Sequence, residues 1–394
     1  MTAHGSANHV TIVDLLRMSS GTLISLPAYP DDIWDSLLDA ATTHRVLPFL
    51  YPWLKDSSRI HALPPLLHAH LKQAARETTA RNLFLTSELC TIVKALDCHG
   101  IPSIPIRGPA LAHQLYDDPF LRPAEDLDLL VHRHDLPAVA AILTQQGYRS
   151  VEHRQGFLET FSYSLEFVHP VSGLYVEPHW SLVYPPYVGT VDMAPVWARA
   201  VRQQAAGVHM LGLGLIDLVI HLCVHLLHRG DQVPLLWLYE LDRLLREKQA
   251  TMDWDQFVRV AHTMGQGLLV AQALSKVSEQ CGTPLPPSLS AQLVSSPHPS
   301  SLPTIGLLLT RGQVNGREEF AALWALPGLR SKLRYVLGLL FPSPEFMLRR
   351  YRLSSYSMLM LYYPLRFVSL LWEGAMWVSA WLRAVVSSQN PQSR

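Results

Sequence analysis

The chain has 394 residues, of which 48% are hydrophobic and only 16% charged. A mean hydropathy of +0.12 excludes a disordered or solvating protein, and the length suits about two or three domains around a sizeable core. Lys plus Arg and Asp plus Glu balance at 32 each, so no overall charge favours non-specific nucleic-acid binding, and only a local basic patch could serve there.

The N-terminus, MTAHGSANHVTIVDLLRMSS, has neither a basic n-region nor a long apolar run, so no signal peptide is expected. Cys90, Cys98, Cys223 and Cys281 are scattered without zinc-ligand spacing. They read as reduced thiols in a reducing compartment, and the expected location is cytoplasmic. Residues 9–78 read as short helices. Asp31 and Asp32 open one of them, Ile33, Leu37 and Leu38 follow at helical spacing, and six prolines punctuate the segment: Pro27, Pro30, Pro48, Pro52, Pro64 and Pro65. LKQAARETTARNLFLTSELCTIVKALDCHG then reads as one long helix with Leu85, Leu89, Ile92, Val93 and Leu96 on one face and Gly100 as its stop.

After Gly100 the periodicity changes. IPSIPIRG alternates as a strand running into a tight turn at Gly108. ALAHQLY is a short helix, DLDLLV a second strand, and RHDLPAVAAILTQQGYRS an amphipathic helix starting near Asp135 and stopping at Gly147. FLETFSYSLEFVHP and GLYVEPHWSLV read as two strands of a hairpin. Beyond residue 210 the pattern is helical again, through GLIDLVIHLCVHLLHRG and QVPLLWLYELDRLLREKQ, a Pro/Ser-rich stretch at 282–304, and helices at 318–340 and 344–387. The expected division is a helical segment over 1–78, an α/β core over 79–200 and a helical domain over 201–394. The apolar segment 356–386 is interrupted by Pro364, Arg366, Glu373 and Arg383, so no run reaches the roughly 20 residues of a membrane span. It reads as a buried helix pair, with association at a membrane surface as the alternative.

The strand DLDLLV poses the chemical question, because strands buried on both faces rarely carry carboxylates unless these are paired or bind a cation. Asp126 and Asp128 are two apart, so their side chains share a face. The bland reading is a solvated strand end. The other is a site for Mg²⁺, which is held by one or two carboxylates plus substrate phosphates. Glu177, on the later strand, could add a third oxygen ligand, and three acids can hold two metal ions about 3.5–4 Å apart. Gly108 precedes a helix N-terminus and could present backbone N–H groups to a phosphate, with Arg107 and Arg122 adding charged contacts. His221, His225 and His228 share one helix face. With no Glu between them they lack the metalloprotease pattern, and they read as lining a cleft or hydrogen-bonding with Asp242 and Trp237.

The run IRGPALAHQLYDDPFLRPAEDLDLLV, followed by VEPHW, resembles a bacterial family of uncharacterised nucleotidyltransferases within the polymerase beta-like superfamily. Gly108, Leu111, Tyr116, Arg122, Asp126, Asp128, Glu177, His179 and Trp180 carry the likeness, and His221, His225, Asp242 and FPSPEFMLRRY extend it through the helical remainder. Three positions depart from the pattern: Arg107 replaces the usual Lys, Pro109 follows Gly108 where Ser is common, and Glu177 replaces Asp. The resemblance implies an α+β fold, a small mixed-sheet core embedded in a largely helical chain. It implies a nucleoside triphosphate as substrate, with Mg²⁺ as cofactor and Mn²⁺ as a substitute. It implies transfer of a nucleoside monophosphate to a hydroxyl of a metabolite, peptide or protein. Asp126, Asp128 and Glu177 would be the catalytic and metal residues, and Arg107, Gly108, Arg122 and His179 would face the nucleotide. Relatives resemble proteins found beside peptide-tailoring enzymes, so a peptide-binding module without turnover is the competing expectation. Weak contact of the C-terminal helices with a membrane surface is the remaining partner reading.

Overall fold

The computed structural model describes residues 38–55, 65–151, 157, 161–184, 191–228, 233–295, 323, 326, 328–353 and 355–388. The helix start expected at Asp31 and Asp32, and most of the stretch FLETFSYSLEFVHP before Phe161, lie outside these residues. So do much of the Pro/Ser-rich stretch and the start of the helix expected at 318.

Helix α1 (Leu47–Lys55) precedes the long helix α2 (Pro65–Cys98), which runs without a break across position 78. The expected stripe of α2 is buried, with Leu85, Leu89, Ile92 and Leu96 at 0–1% exposure. Gly100, at φ +69°, turns the chain after it. The α/β core then follows: β1 (Ser103–Pro105), α3 (Gly108–Leu115), β2 (Asp126–Val131), α4 (Leu136–Gln145), β3 (Arg149–Ser150), β4 (Phe167–Val168) and β5 (Tyr175–His179), which is the expected order with the short β3 added. The five strands form one mixed sheet in the order β1-β2-β5-β4-β3, with β2 and β5 parallel and the other pairs antiparallel. Pro105 sits on the edge strand, where a missing N–H costs no ladder bond.

Alternation along β2 divides the sheet between two cores. Leu127, Leu129 and Val131 pack with Val176 of β5, with α2, and with Val139 and Ile142 of α4. On the opposite face Leu130 joins Ile104, Ile106 and a helical core. That second core is built by α6 (Leu215–His228), α7 (Leu235–Lys248), α8 (Trp254–Thr263), α9 (Gly267–Cys281) and α10 (Leu289–Val294). Between β5 and α6 in the chain lie α5 (Ala194–Ala198) and a hairpin of β6 (Val201–Ala205) and β7 (Val208–Gly212), with β7 packed near β1. The sequence reading did not foresee this hairpin. VRQQA is mostly polar and three of its five residues are exposed, so no apolar alternation announces it.

The C-terminal part consists of α11 (Gly328–Leu340), α12 (Pro344–Arg350) and α13 (Leu359–Ser388), which packs against the other two. The buried helix pair expected here does not form. Leu361 is 73% exposed and Trp372 69%. Apolar composition predicted burial, but nothing among the described residues covers this face.

Candidate active site

The acids of β2 occupy the sheet face that looks toward α6 and α7. Parallel pairing of β2 with β5 sets Asp128 opposite Glu177, Asp126 opposite Tyr175 and Leu130 opposite His179. Side chains at i and i+2 share a face, so Asp126, Asp128, Glu177 and His179 project together. The three acids line a cleft of about 790 Å³, counted to its open mouth, with Gly108, Arg45, Arg107, Arg122, Tyr163, Tyr184, His225, His228 and Trp237 among its other walls, while His179 is buried.

Asp128 is the most constrained member. It is 2% exposed. Arg107 donates from Nε and Nη2 to its Oδ2 at 2.9 and 2.8 Å, and His179 Nε2 lies 2.9 Å from its Oδ1. Burial would push this carboxyl up, but the Arg107 charge and the His179 hydrogen bond outweigh it and hold it well below the usual carboxylate range. The converse operates on Asp126. Burial first, then the neighbouring Asp128 charge, push it up to about 6, against the pull of Arg107. His179 is buried, which disfavours its charge, yet its contacts with Asp128 and Glu177 (3.6 Å to Oε2) raise it.

Arg107 ends β1's exit and reaches across to α6, where its Nη1 meets the His225 ring. The Tyr184 hydroxyl lies 3.0 Å from His225 Nδ1. His225 also packs on Trp237, with ring centroids 4.0 Å apart, and Tyr184 stacks on His228 at 4.0 Å. Burial and the Arg107 charge hold His225 well below the normal imidazole range and push His221 down to about 3. Of the two expectations for these histidines, the structure places His225 and His228 on the cleft wall. Asp242 is not their partner, since it accepts from Arg246 Nε (2.7 Å) and the Thr283 hydroxyl (2.5 Å).

Gly108 begins α3 at φ +61°, with Pro109 in the helix's first turn. A Cβ at Gly108 would stand 3.2 Å from the Asp126 backbone carbonyl, so the turn brings the α3 N-terminus against the start of β2. Arg122 is placed differently from the sequence expectation. It is 6% exposed and makes a two-pronged ion pair with Glu240 of α7, Nη2 to Oε2 at 3.1 Å and Nε to Oε1. The Tyr116 hydroxyl donates to the same Oε1 at 3.2 Å. Arg122 therefore reaches the cleft wall with its two strongest donors engaged by a protein carboxylate. Arg45, which no motif singled out, stands at the same wall and pairs with Glu125 at 3.0 Å. It lies 62 residues before Arg107 in a helical stretch, so only the folded chain brings it near the acids.

The donor set suits a divalent cation. Asp128, Glu177 and His179 each offer a ligand atom within 4.8 Å of the others. His179 Nε2 donates to Asp128 and stands 3.6 Å from Glu177, while Asp126 lies on the same sheet face outside this group of three.

A family model described as uncharacterised nucleotidyltransferase matches residues 30–280. No curated protein matches the chain.

Proposed function

The chain belongs to this family of nucleotidyltransferases, and from that premise we propose that it moves a nucleoside monophosphate from a nucleoside triphosphate to a hydroxyl acceptor, with Mg²⁺ held by Asp126, Asp128 and Glu177. The observation that supports this reading is that the three carboxylates share one sheet face beside Arg107, with Asp128 and Glu177 within ligand reach of each other. When bound, the cation supplies charge neutralisation for the triphosphate and eases ionisation of the attacking hydroxyl.

The chain's own groups do the rest. Arg107 and Arg45 bind phosphate oxygens, and the open turn at Gly108 lets the backbone approach the triphosphate. The acceptor oxygen bonds to the α-phosphorus in line, the bond to the β-phosphate oxygen breaks, and pyrophosphate departs with that electron pair. Glu177, whose side chain is 25% exposed, receives the acceptor's proton. His179 fixes Asp128 by hydrogen bonding. The wall of His225, Trp237 and Tyr184 limits water on the far side of the cleft, so positioning and charge stabilisation carry the rate.

Mass spectrometry of candidate acceptors incubated with mixed nucleoside triphosphates and Mg²⁺ tests the reading. A gain of one nucleotide is expected, and Asp126→Ala should lower it about a hundredfold or more. Asp128→Asn, which keeps hydrogen-bonding shape at the buried position, should do the same. Full transfer by either variant would remove these residues from the mechanism. One observation favours a second reading, that of a binding module: both Asp128 oxygens are already engaged by Arg107 and His179. Calorimetry with nucleotides and Mg²⁺ separates the two, since a module would take up peptide but no nucleotide.

A further inference from the structure

The C-terminal helix α13 has its polarity reversed relative to a helix that faces water. From Met360 to Met376 every exposed residue whose side chain is described is apolar. Leu361, Leu365, Val368, Trp372 and Met376 recur at i, i+4, i+7, i+11 and i+15, a single stripe, at 73, 54, 61, 69 and 44% exposure. Two polar groups among the described side chains turn inward. Arg366 is 8% exposed, donates from Nε to the Leu339 carbonyl at 2.7 Å and lies over the Phe346 ring. The Tyr363 hydroxyl donates to the Pro342 carbonyl at 2.7 Å. An amphipathic helix on a globular protein shows the opposite arrangement.

Two further observations say what covers this face. On α11, which packs beside α13, Leu329, Leu333 and Leu337 are exposed at i, i+4 and i+8, with exposed Arg330 and Arg334 next to them. Residues 328–388 carry eight Lys and Arg against two Asp and Glu, in a chain whose total is balanced. A second copy would set one basic surface against another, which like-charge repulsion disfavours. A bilayer containing anionic lipid satisfies both the charge and the apolar stripe, and Trp and Tyr are the residues that settle at its headgroup level. The segment also lies beyond residues 30–280, the part shared with the family.

We propose that α11–α13 dock this enzyme on the surface of a bilayer that contains anionic lipid. The stripe of α13, about 25 Å long at 1.5 Å per residue, lies in the interface plane with its apolar side toward the acyl chains. Arg330, Arg334, Arg350 and Arg352, all exposed, meet lipid phosphates. Among the described residues no helix is long and apolar enough to cross a membrane, so the helix lies on the bilayer.

Flotation of the full chain with vesicles of phosphatidylcholine alone, and of phosphatidylcholine mixed with phosphatidylglycerol, tests this without reference to nucleotide transfer. The chain should float with the mixed vesicles and far less with phosphatidylcholine. Binding should weaken toward 1 M salt, where the Debye length falls to about 3 Å. Arg330→Glu with Arg334→Glu should lower the bound fraction about tenfold or more. Leu365→Glu with Trp372→Glu should abolish flotation. All four side chains are exposed, so the fold should persist, as circular dichroism would show. Absence of flotation with either vesicle, equal flotation of all variants, or equal binding to neutral and anionic vesicles overturns the proposal. So does a dimer that Trp372→Glu dissolves, which assigns the face to a second copy.

Discussion

Gly108 shows how one backbone angle serves the site. At φ +61° any side chain costs about 1–2 kcal/mol, and a Cβ would crowd the Asp126 carbonyl at 3.2 Å. Gly108→Ala should therefore lower thermal stability by about that amount and shift the start of β2, so that nucleotide affinity falls further than stability does. Differential scanning fluorimetry and calorimetry on one preparation would separate the two losses. Arg107 is the second decisive residue. Its fork meets Asp128 with two nitrogens and His225 with a third, a geometry that the point charge of Lys cannot reproduce. Arg107→Lys should retain charge yet loosen Asp128, giving a measurable loss of transfer with a folded protein. Unchanged kinetics would show that charge alone matters. Asp126 and Asp128 were legible as a pair because period-two spacing puts them on one face, whereas Glu177 joins that face only through the parallel pairing of β2 with β5. Arg107's bond to His225 was not, since 118 residues separate them.

Among the elements, the joint between the sheet and the helical domain rests on Arg122 and Glu240, at 6% and 1% exposure. Removing one partner of a buried pair leaves an uncompensated charge and costs about 3–5 kcal/mol, whereas replacing both with apolar residues is often close to neutral. Glu240→Leu alone should thus be strongly destabilising in denaturant melts, and Arg122→Met with Glu240→Leu should recover much of the loss. Additive losses in that cycle would show that the pair does not couple. The sequence leaves Arg122 open to ion pairing with an acid or to contact with substrate, and the structure pairs it with a carboxylate on α7 at the cleft wall. The elements themselves were well marked where periodicity was strong, as in α2, β2 and α4. They were unmarked in β6, whose pairing with β7 depends on a tight turn at Ala206 (φ 48°) and Gly207 (φ 77°) more than on an apolar pattern.

At the scale of the whole molecule, the buried histidines couple folding to pH. Burial pushes His221 from an ordinary value of 6.5 down to about 3, and His225 also falls well below it. Both are neutral in the folded state, so the unfolded chain binds more protons below pH 6.5. The stability they contribute is complete above that pH and is lost as pH falls toward 3. Asp126 and His179 act in the opposite sense: burial first and then the Asp128 charge push Asp126 up to about 6, and, against burial, the contacts with Asp128 and Glu177 raise His179, so acid favours the folded state at both. The melting temperature of the parent should drop on acidification from pH 7 to 4.5, and His221→Leu should flatten that slope. Parallel curves would remove His221 from the linkage.

The sequence by itself determined the local periods, the main strands and helices of the core, and the shared face of Asp126 and Asp128, because each of these depends on neighbours along the chain. Only the tertiary structure decided which cations meet those acids, that Glu240 takes Arg122, and that the apolar C-terminal helix lies uncovered. Those outcomes follow from contacts between distant segments, and from whether any described partner reaches a surface, which hydrophobic spacing does not encode.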